Sequence, residues 1–280
     1  TDVRNFGAIA RTAMAAGLDA IIIPEKGSAT VTDEAIKASA GALMHLPVCR
    51  SSNLFQTIKH LKEAGLPEGV LQVITGSGSV LGDALVSDPR VRKVSFTGST
   101  NTGRHISSIA GVKKLSLELG SSCPVIVLND ADIDLATDAI AIGGYVNAGQ
   151  VCISVQRVLV DKKIVNDFLA ALKPKVESIR IGNAKSADTK VGTLISEKEA
   201  ERVENSIRSA VKDGAKLLTG GDREGALVKP AIVYDVNPKS PFAQEELFGP
   251  AISVSTFENL PESIEMANDS IYGLGAGIFT

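Results

Sequence analysis

Apolar positions along this 280-residue chain come in two recurring forms. Short β-branched runs alternate with longer stretches in which apolar residues return every three or four positions. That alternation is the signature of βαβ units and a mainly parallel sheet. The first helical stretch is 8–16 (AIARTAMAA), stopped by Gly17. The run AIIIP at 20–24 is continuously apolar, as expected of a strand buried on both faces. A second short strand is expected at 46–50. From Asn53 a helix carries Leu54, Ile58 and Leu61 on one face and stops at Gly65-Leu66-Pro67. A strand at 70–75, a Gly-rich turn at 76–78 and a short helix follow. The strand 90–97, with Val91, Val94 and Phe96, runs directly into Gly98-Ser99-Thr100. Further strands are expected at 115–119, 125–128, 157–160, 232–235, 251–257 and 275–280, and helices at 135–148, 163–178 and 197–213. No internal repeat, low-complexity tract or long linker interrupts the pattern.

Composition narrows the class. The chain is 44% apolar with a formal charge of −3, ordinary for a water-soluble α/β protein. A weakly acidic balance argues against non-specific binding to nucleic acid or an anionic membrane, and no apolar run or signal peptide suggests a membrane route. Cys49, Cys123 and Cys152 are widely spaced, with no CxxC pair or ligand-spaced histidine cluster, so no metal site is expected. Free thiols in a reducing cytoplasm are the expected setting. A start at Thr1 rather than Met, and an end inside the last expected strand, suit a piece of a longer chain, truncated at both ends.

Four segments carry candidate chemistry. Asn-Ala-Gly-Gln-Val-Cys152 follows directly on a helix, and Gly149 lets the backbone turn sharply beside a substrate. Local N–H groups there suit a stabilised thiolate, and the Cys152 N–H suits a developing oxyanion. The alternative is a small buried apolar residue, the reading adopted for Cys49 and Cys123. Leu117-Glu118-Leu119-Gly120 places a carboxylate at a strand end; its leucines suggest partial burial and a general base, against the alternative of a solvated surface acid. Phe96-Thr-Gly98-Ser99-Thr-Asn-Thr-Gly103 feeds a strand through a turn into a helix N-terminus, which suits either a phosphate or a plain N-cap at Ser99 or Thr100. It lacks the GxGxxG spacing of the common dinucleotide fingerprint. Glu245-Glu246-Leu247-Phe248-Gly249-Pro250 suits ribose hydroxyls and a flat ring, or simply a solvated loop.

In order and interval, FTGST, LELG, NAGQVC and EELFGP, followed by YGLGAGIFT, resemble the middle of an NAD(P)-dependent aldehyde dehydrogenase over residues 67–280. The resemblance implies a Rossmann-like α/β fold, a mainly parallel sheet with helices on both faces, followed by a second α/β catalytic domain. It implies Cys152 as nucleophile toward a small-molecule aldehyde, Glu118 as the base that activates hydrolytic water, and NAD or NADP as cofactor. Gly98 and Ser99 would hold the cofactor pyrophosphate, Glu246 its nicotinamide ribose, and Phe248 would pack near the ring. Homo-oligomers are the family's habit, although the oligomerisation strand has no counterpart in this chain.

The opening residues differ. Asp2 to Ala13, AIIIPEKGSA, ASAGAL and HLPVCRSSNL resemble the start of a SpoU/TrmH-type RNA ribose 2'-O-methyltransferase, in which Asn5 and Arg11 belong to the first motif. The later motifs of that family, which form its S-adenosylmethionine site, are absent. Residues 1–65 carry 7 Lys/Arg against 6 Asp/Glu, so no basic face for RNA shows. The chain therefore reads as chimeric: a methyltransferase-like βα segment at 1–66, an NAD(P)-binding part at 67–150 and an incomplete catalytic domain at 151–280. The dehydrogenase segments supplying an oxyanion Asn and an adenosine-ribose Lys have no counterpart, and one lost oxyanion donor costs on the order of 10²–10³ in rate. Three functions follow as alternatives: an aldehyde dehydrogenase, an RNA-modifying or RNA-binding module resting on 1–66, and an inactive hybrid.

Overall fold

The computed structural model describes residues 3–15, 17–65, 67, 69 and 74–280, apart from the side chains of Arg4 and Asn5. The chain divides into two compact units, Thr1–Gly76 and Ser77–Thr280. The expected strand at 70–75 falls at 70–73 outside the described residues, as do Leu66 of the helix-stop signal, Asp2 and the Asn5 side chain.

The first unit runs α1 (Val3–Ala15), β1 (Ile21–Pro24), α2 (Asp33–Ala38), β2 (Val48–Ser51) and α3 (Leu54–Glu63), with β1 and β2 paired in parallel. Side-chain oxygens of Thr32 and Asn53 cap α2 and α3, fixing where those helices start. Gly7 allows α1 to lie against α2, since a Cβ there would come within 2.6 Å of the Ala38 Cβ. The expectation for 20–24 requires correction, because β1 is covered on one face only. Ile21 and Ile23 pack with Phe6, Ala10, Ala35 and Leu43, whereas Ile22 on the opposite pleat is 39% exposed. A two-stranded sheet backed by helices on one side imposes alternation even on a continuously apolar run. Arg11 is exposed on α1.

The second unit opens with a π turn at Gly78–Gly82 and α4 (Asp83–Ser87), then β3 (Lys93–Thr97), α5 (Thr100–Ile109) and β4 (Lys114–Glu118). β3 and β4 pair in parallel and turn Val94, Phe96, Leu115 and Leu117 onto Val86, Ile106 and Ala110. There follow β5 (Pro124–Val127), α6 (Ile133–Tyr145), β6 (Arg157–Asp161), α7 (Val165–Glu177), α8 (Glu197–Lys212), β7 (Lys216–Thr219), β8 (Arg223–Glu224) and β9 (Leu227–Val228). The unit closes with β10 (Ala231–Tyr234), α9 (Pro241–Gln244), β11 (Ala251–Phe257), α10 (Leu260–Asn268) and β12 (Gly277–Phe279).

Six of these strands form one sheet in the order β12-β5-β6-β11-β10-β7, parallel throughout except for β7 against β10. Its central strand β6 is buried at every position, as a strand covered on both faces requires. Val125, Val127, Val158 and Val160 face the larger core with Ile140, Phe168, Leu172 and Ile207 from α6, α7 and α8. The intervening Ile126 and Leu159 face the other way, with Phe257, onto Met266 and Ala267 of α10. α8 shows why such helices form where they do. Ser196 caps it by accepting from the Glu199 N–H, acids occupy its first turn and Lys212 its last. Its Ala200, Val203, Ile207 and Ala210 make the buried stripe. Among the described residues no helix is long and apolar enough to cross a membrane.

Tyr145 ends α6 inside this core, 1% exposed, its hydroxyl donating to the Ala231 carbonyl of β10 at 2.9 Å. Burial pushes that phenol well above its ordinary range, so it stays protonated. Tyr145→Phe should cost about 1–2 kcal/mol of stability, the value of a buried neutral hydrogen bond with its carbonyl left unmatched. Urea denaturation checks this, and an unchanged midpoint would contradict it.

Candidate active site

The strand-turn-helix at β3 and α5 is built as its residues suggest. Ser99 is the N-cap of α5, its hydroxyl accepting from the Thr102 N–H at 3.2 Å. The cap leaves other first-turn N–H groups and the positive end of a ten-residue helix at the turn. The Gly98 N–H donates to the Glu118 carbonyl at 3.0 Å, which ties this turn to the end of β4. Glu118 itself is exposed, contrary to the partial burial expected from its leucines. Strand alternation is the reason: Leu117 packs inward onto the α4–α5 core, so its neighbour Glu118 takes the open face with Lys114 and Ser116.

The cysteine segment departs from the expected helix 135–148. α6 ends at Tyr145, and Asn147, Ala148 and Gly149 follow with φ of 53°, 56° and 69°, three left-handed residues in succession. Such a run cannot continue a right-handed helix and is held only by its surroundings. Gln150 supplies part of that hold, its amide oxygen accepting from the Ile195 N–H at 2.9 Å while its amide nitrogen donates to the Asn147 carbonyl at 3.2 Å. Gly149 lies on the Gly249 carbonyl so closely that a Cβ there would overlap it. Cys152 is half-buried just beyond this turn. Cys123 is buried, with the Ser121 hydroxyl donating to its sulfur at 3.3 Å, while Cys49 is exposed on β2. Among the described residues no group of three His, Cys, Asp or Glu side chains is placed to hold a metal ion.

The acidic loop meets both segments. Glu246 accepts from the Ser121 N–H at 3.2 Å and lies over Gly120, where a Cβ would sit 2.7 Å from its carboxyl carbon. Phe248 has a left-handed φ of 49° and is 41% exposed. Three side chains fix this loop. The Gln156 amide spans Glu245 and Leu247, Arg202 donates to the Leu247 carbonyl at 2.6 Å, and the Tyr272 hydroxyl accepts from the Glu246 N–H at 3.1 Å. Ser121, Gly149, Val151, Glu246 and Phe248 share one small cleft. Its lining reaches Val151 and Ser121 but does not include Cys152 or Glu118. The loop holders were not legible as site residues; the one available signal was Gln156, a polar residue leading into the fully buried strand β6.

Burial pushes the Glu246 carboxyl above the ordinary carboxylate range, with the Ser121 N–H and the Arg202 charge pulling it partly back. A carboxyl raised in the folded state contributes stability below its unfolded value and loses it as pH rises through the folded value. Glu246→Gln should therefore raise the thermal midpoint near neutral pH, with the gain shrinking to nothing in acid. A gain that widens in acid would contradict this.

The turn at Gly98, the end of β4, the cysteine turn and the acidic loop thus form one contiguous set of contacts, inside a Rossmann-like, mainly parallel α/β architecture of the dehydrogenase type. Residues 51–280 match the Aldehyde dehydrogenase family, and the chain belongs to that family. Residues 1–76 match the SpoU rRNA Methylase family, overlapping the first match at 51–76. The chain is 44% identical over 220 residues to a 3-sulfolactaldehyde dehydrogenase of Priestia aryabhattai, covering 79% of this chain and 46% of that protein. It is 39% identical over 222 residues to a lactaldehyde dehydrogenase of Methanococcus aeolicus, covering 79% and 48%. The chain thus spans about half the length of these curated relatives. Among solved structures, the glyceraldehyde-3-phosphate dehydrogenase of Methanocaldococcus jannaschii complexed with NADP superposes with a TM-score of 0.78 at 38% identity, over 88% of this chain and 56% of that one. The betaine aldehyde dehydrogenase of Staphylococcus aureus in complex with NAD+ gives 0.76 at 34% identity, over 88% and 52%.

Proposed function

We propose that the chain oxidises a small aldehyde to its carboxylic acid with NAD or NADP, through a covalent intermediate on Cys152. The observation that carries this reading is the convergence of four separated motifs: Gly98 on Glu118, Glu246 on Ser121, and Gly149 on Gly249. The residues present fit a dinucleotide. Gly98 and Ser99 at the α5 N-terminus offer backbone N–H groups and a positive dipole end to a pyrophosphate. The half-buried Glu246 carboxylate would accept from ribose hydroxyls, and the exposed Phe248 ring offers a flat apolar face to the nicotinamide. Bound there, NAD or NADP supplies the hydride acceptor.

The Cys152 thiolate adds to the aldehyde carbon to give a thiohemiacetal, held where its hydride can leave and where the Cys152 N–H meets the oxyanion. Loss of hydride leaves a thioester on Cys152. Glu118, exposed at the end of β4, takes a proton from the water that hydrolyses it, releasing the acid and the thiol. In this reading 67–150 hold the cofactor pyrophosphate and supply the base, and 151–280 supply the nucleophile and the nicotinamide-ribose contacts, in a cytoplasmic setting. Lactaldehyde and 3-sulfolactaldehyde, taken from the names of the relatives, are the first substrates to offer. Formation of NADH or NADPH and the matching acid supports the reading, and a folded chain that forms neither with these aldehydes counts against it.

A second reading attaches to residues 1–76 alone, from their match to the SpoU rRNA Methylase family. It is an RNA-binding or RNA-methylating role, tested by titrating S-adenosylmethionine and a structured RNA; absence of binding to both removes it.

A further inference from the structure

We infer that Gln156 is a positioning residue that sets Glu246 and Phe248 for the dinucleotide, by clamping the peptide groups on either side of Glu246. This rests on the aldehyde dehydrogenase reading. Gln156 stands immediately before β6 and is 5% exposed. Its main-chain carbonyl accepts from the Ser253 N–H at 2.8 Å and the Ser253 hydroxyl at 3.2 Å, so its root is fixed to the central sheet at β11. From that root the side-chain amide reaches the acidic loop. Its nitrogen donates to the Glu245 carbonyl at 2.6 Å, and its oxygen accepts from the Leu247 N–H at 2.8 Å.

These two bonds bracket a single residue. They hold the carbonyl before Glu246 and the N–H after it, and so restrain the backbone torsions that aim its carboxylate at the Ser121 N–H. The next residue but one is Phe248, whose left-handed φ of 49° persists only where neighbours over-determine it. An amide alone among uncharged side chains of this length presents a donor and an acceptor side by side. A carboxylate would set an oxygen against the Glu245 carbonyl, and a leucine would leave both buried peptide groups unmatched. Gln156 lines the same cleft as Glu246 and Phe248, yet its amide is spent on the loop backbone.

The test titrates NADH and NADPH into the full chain, following nucleotide fluorescence, for the parent, Gln156→Leu, Glu246→Ala and the double variant. Gln156→Leu should weaken binding about tenfold or more, and the double variant should lose clearly less than the sum of the two single losses, since Gln156 acts through Glu246 and Phe248. Additive losses would overturn the proposal. Amide exchange at Leu247, measured without nucleotide, should speed up in Gln156→Leu; unchanged exchange in a folded variant also overturns it. If the parent binds neither nucleotide, the functional reading fails, while the Leu247 exchange still reports on the clamp. Where Gln156→Leu does not fold, the isosteric Gln156→Glu takes its place in the cycle. Collapse of both variants would make Gln156 a core residue and end the proposal.

Discussion

Cys152→Ala should abolish aldehyde-dependent formation of NADH or NADPH, lowering the rate by about 10⁴-fold or more, the scale seen when a covalent nucleophile is removed. Without the sulfur no thiohemiacetal forms, and a free aldehyde hydrate is the only remaining hydride source. The substitution deletes one atom at a half-buried position beyond the strained turn, so stability should change by less than about 1 kcal/mol. Nucleotide binding, which the proposed roles assign to Gly98, Ser99, Glu246 and Phe248, should persist. Turnover assays with a melting curve of the same sample check both halves. A variant that retains parental turnover would remove Cys152 from the mechanism. Cys49→Ala separates thiol chemistry at 152 from thiol loss in general, since Cys49 lies on β2, outside the converging segments.

Gly149→Ala should be the most damaging single-methyl change near the site. Its φ of 69° alone costs an L-residue about 1–2 kcal/mol. The added Cβ would also overlap the Gly249 carbonyl and lie 3.1 Å from the Pro250 nitrogen. These are backbone atoms, and they cannot swing aside. The Pro250 carbonyl accepts from the Ala231 N–H at 2.9 Å and the Gly249 carbonyl from the Ala251 N–H at 2.8 Å, so this stretch is built into the β10–β11 edge. Either the cysteine turn or the acidic loop must move. A loss of about 3 kcal/mol or more is expected, together with most of the activity. Gly111→Ala is the matched control, with φ of 64° and nothing within 4 Å of the added Cβ. It should show the torsional cost alone. Equal denaturation midpoints for the two variants would refute the steric argument.

Much of the second unit was legible because its elements obey local rules. α8 (Glu197–Lys212) starts behind the Ser196 cap and stops after Lys212 through caps, charges and spacing that are all read from neighbouring residues. β11 occupies Ala251–Phe257, the bounds expected from its alternation of apolar and small hydroxyl residues. The short elements were not legible. β7, with its half-exposed KLLT, and α10, whose one fully buried residue is Ser263, depend on the sheet they pack against. The same limit applied to β1, where an apolar run matched a doubly buried strand and a two-stranded partner left Ile22 exposed.

For the candidate site, the residue order was enough to mark the motifs, since Gly98-Ser99, Glu118, Cys152 and Glu246-Phe248 sit in short, spaced patterns whose chemistry is local. Tertiary structure decided how they are held. Gln156, Arg202 and Tyr272 grip the acidic loop from distant parts of the chain, and no sequence window contains both partners of any of those bonds. It also decided the conformation of Asn147 and Ala148, residues that on their own favour helix or turn and take a left-handed form only because the Gly149–Gly249 contact and the Gln150 anchor require it. Local chemistry is written in neighbouring residues, whereas strain and long-range hydrogen bonds exist only after the sheet has brought distant backbone together.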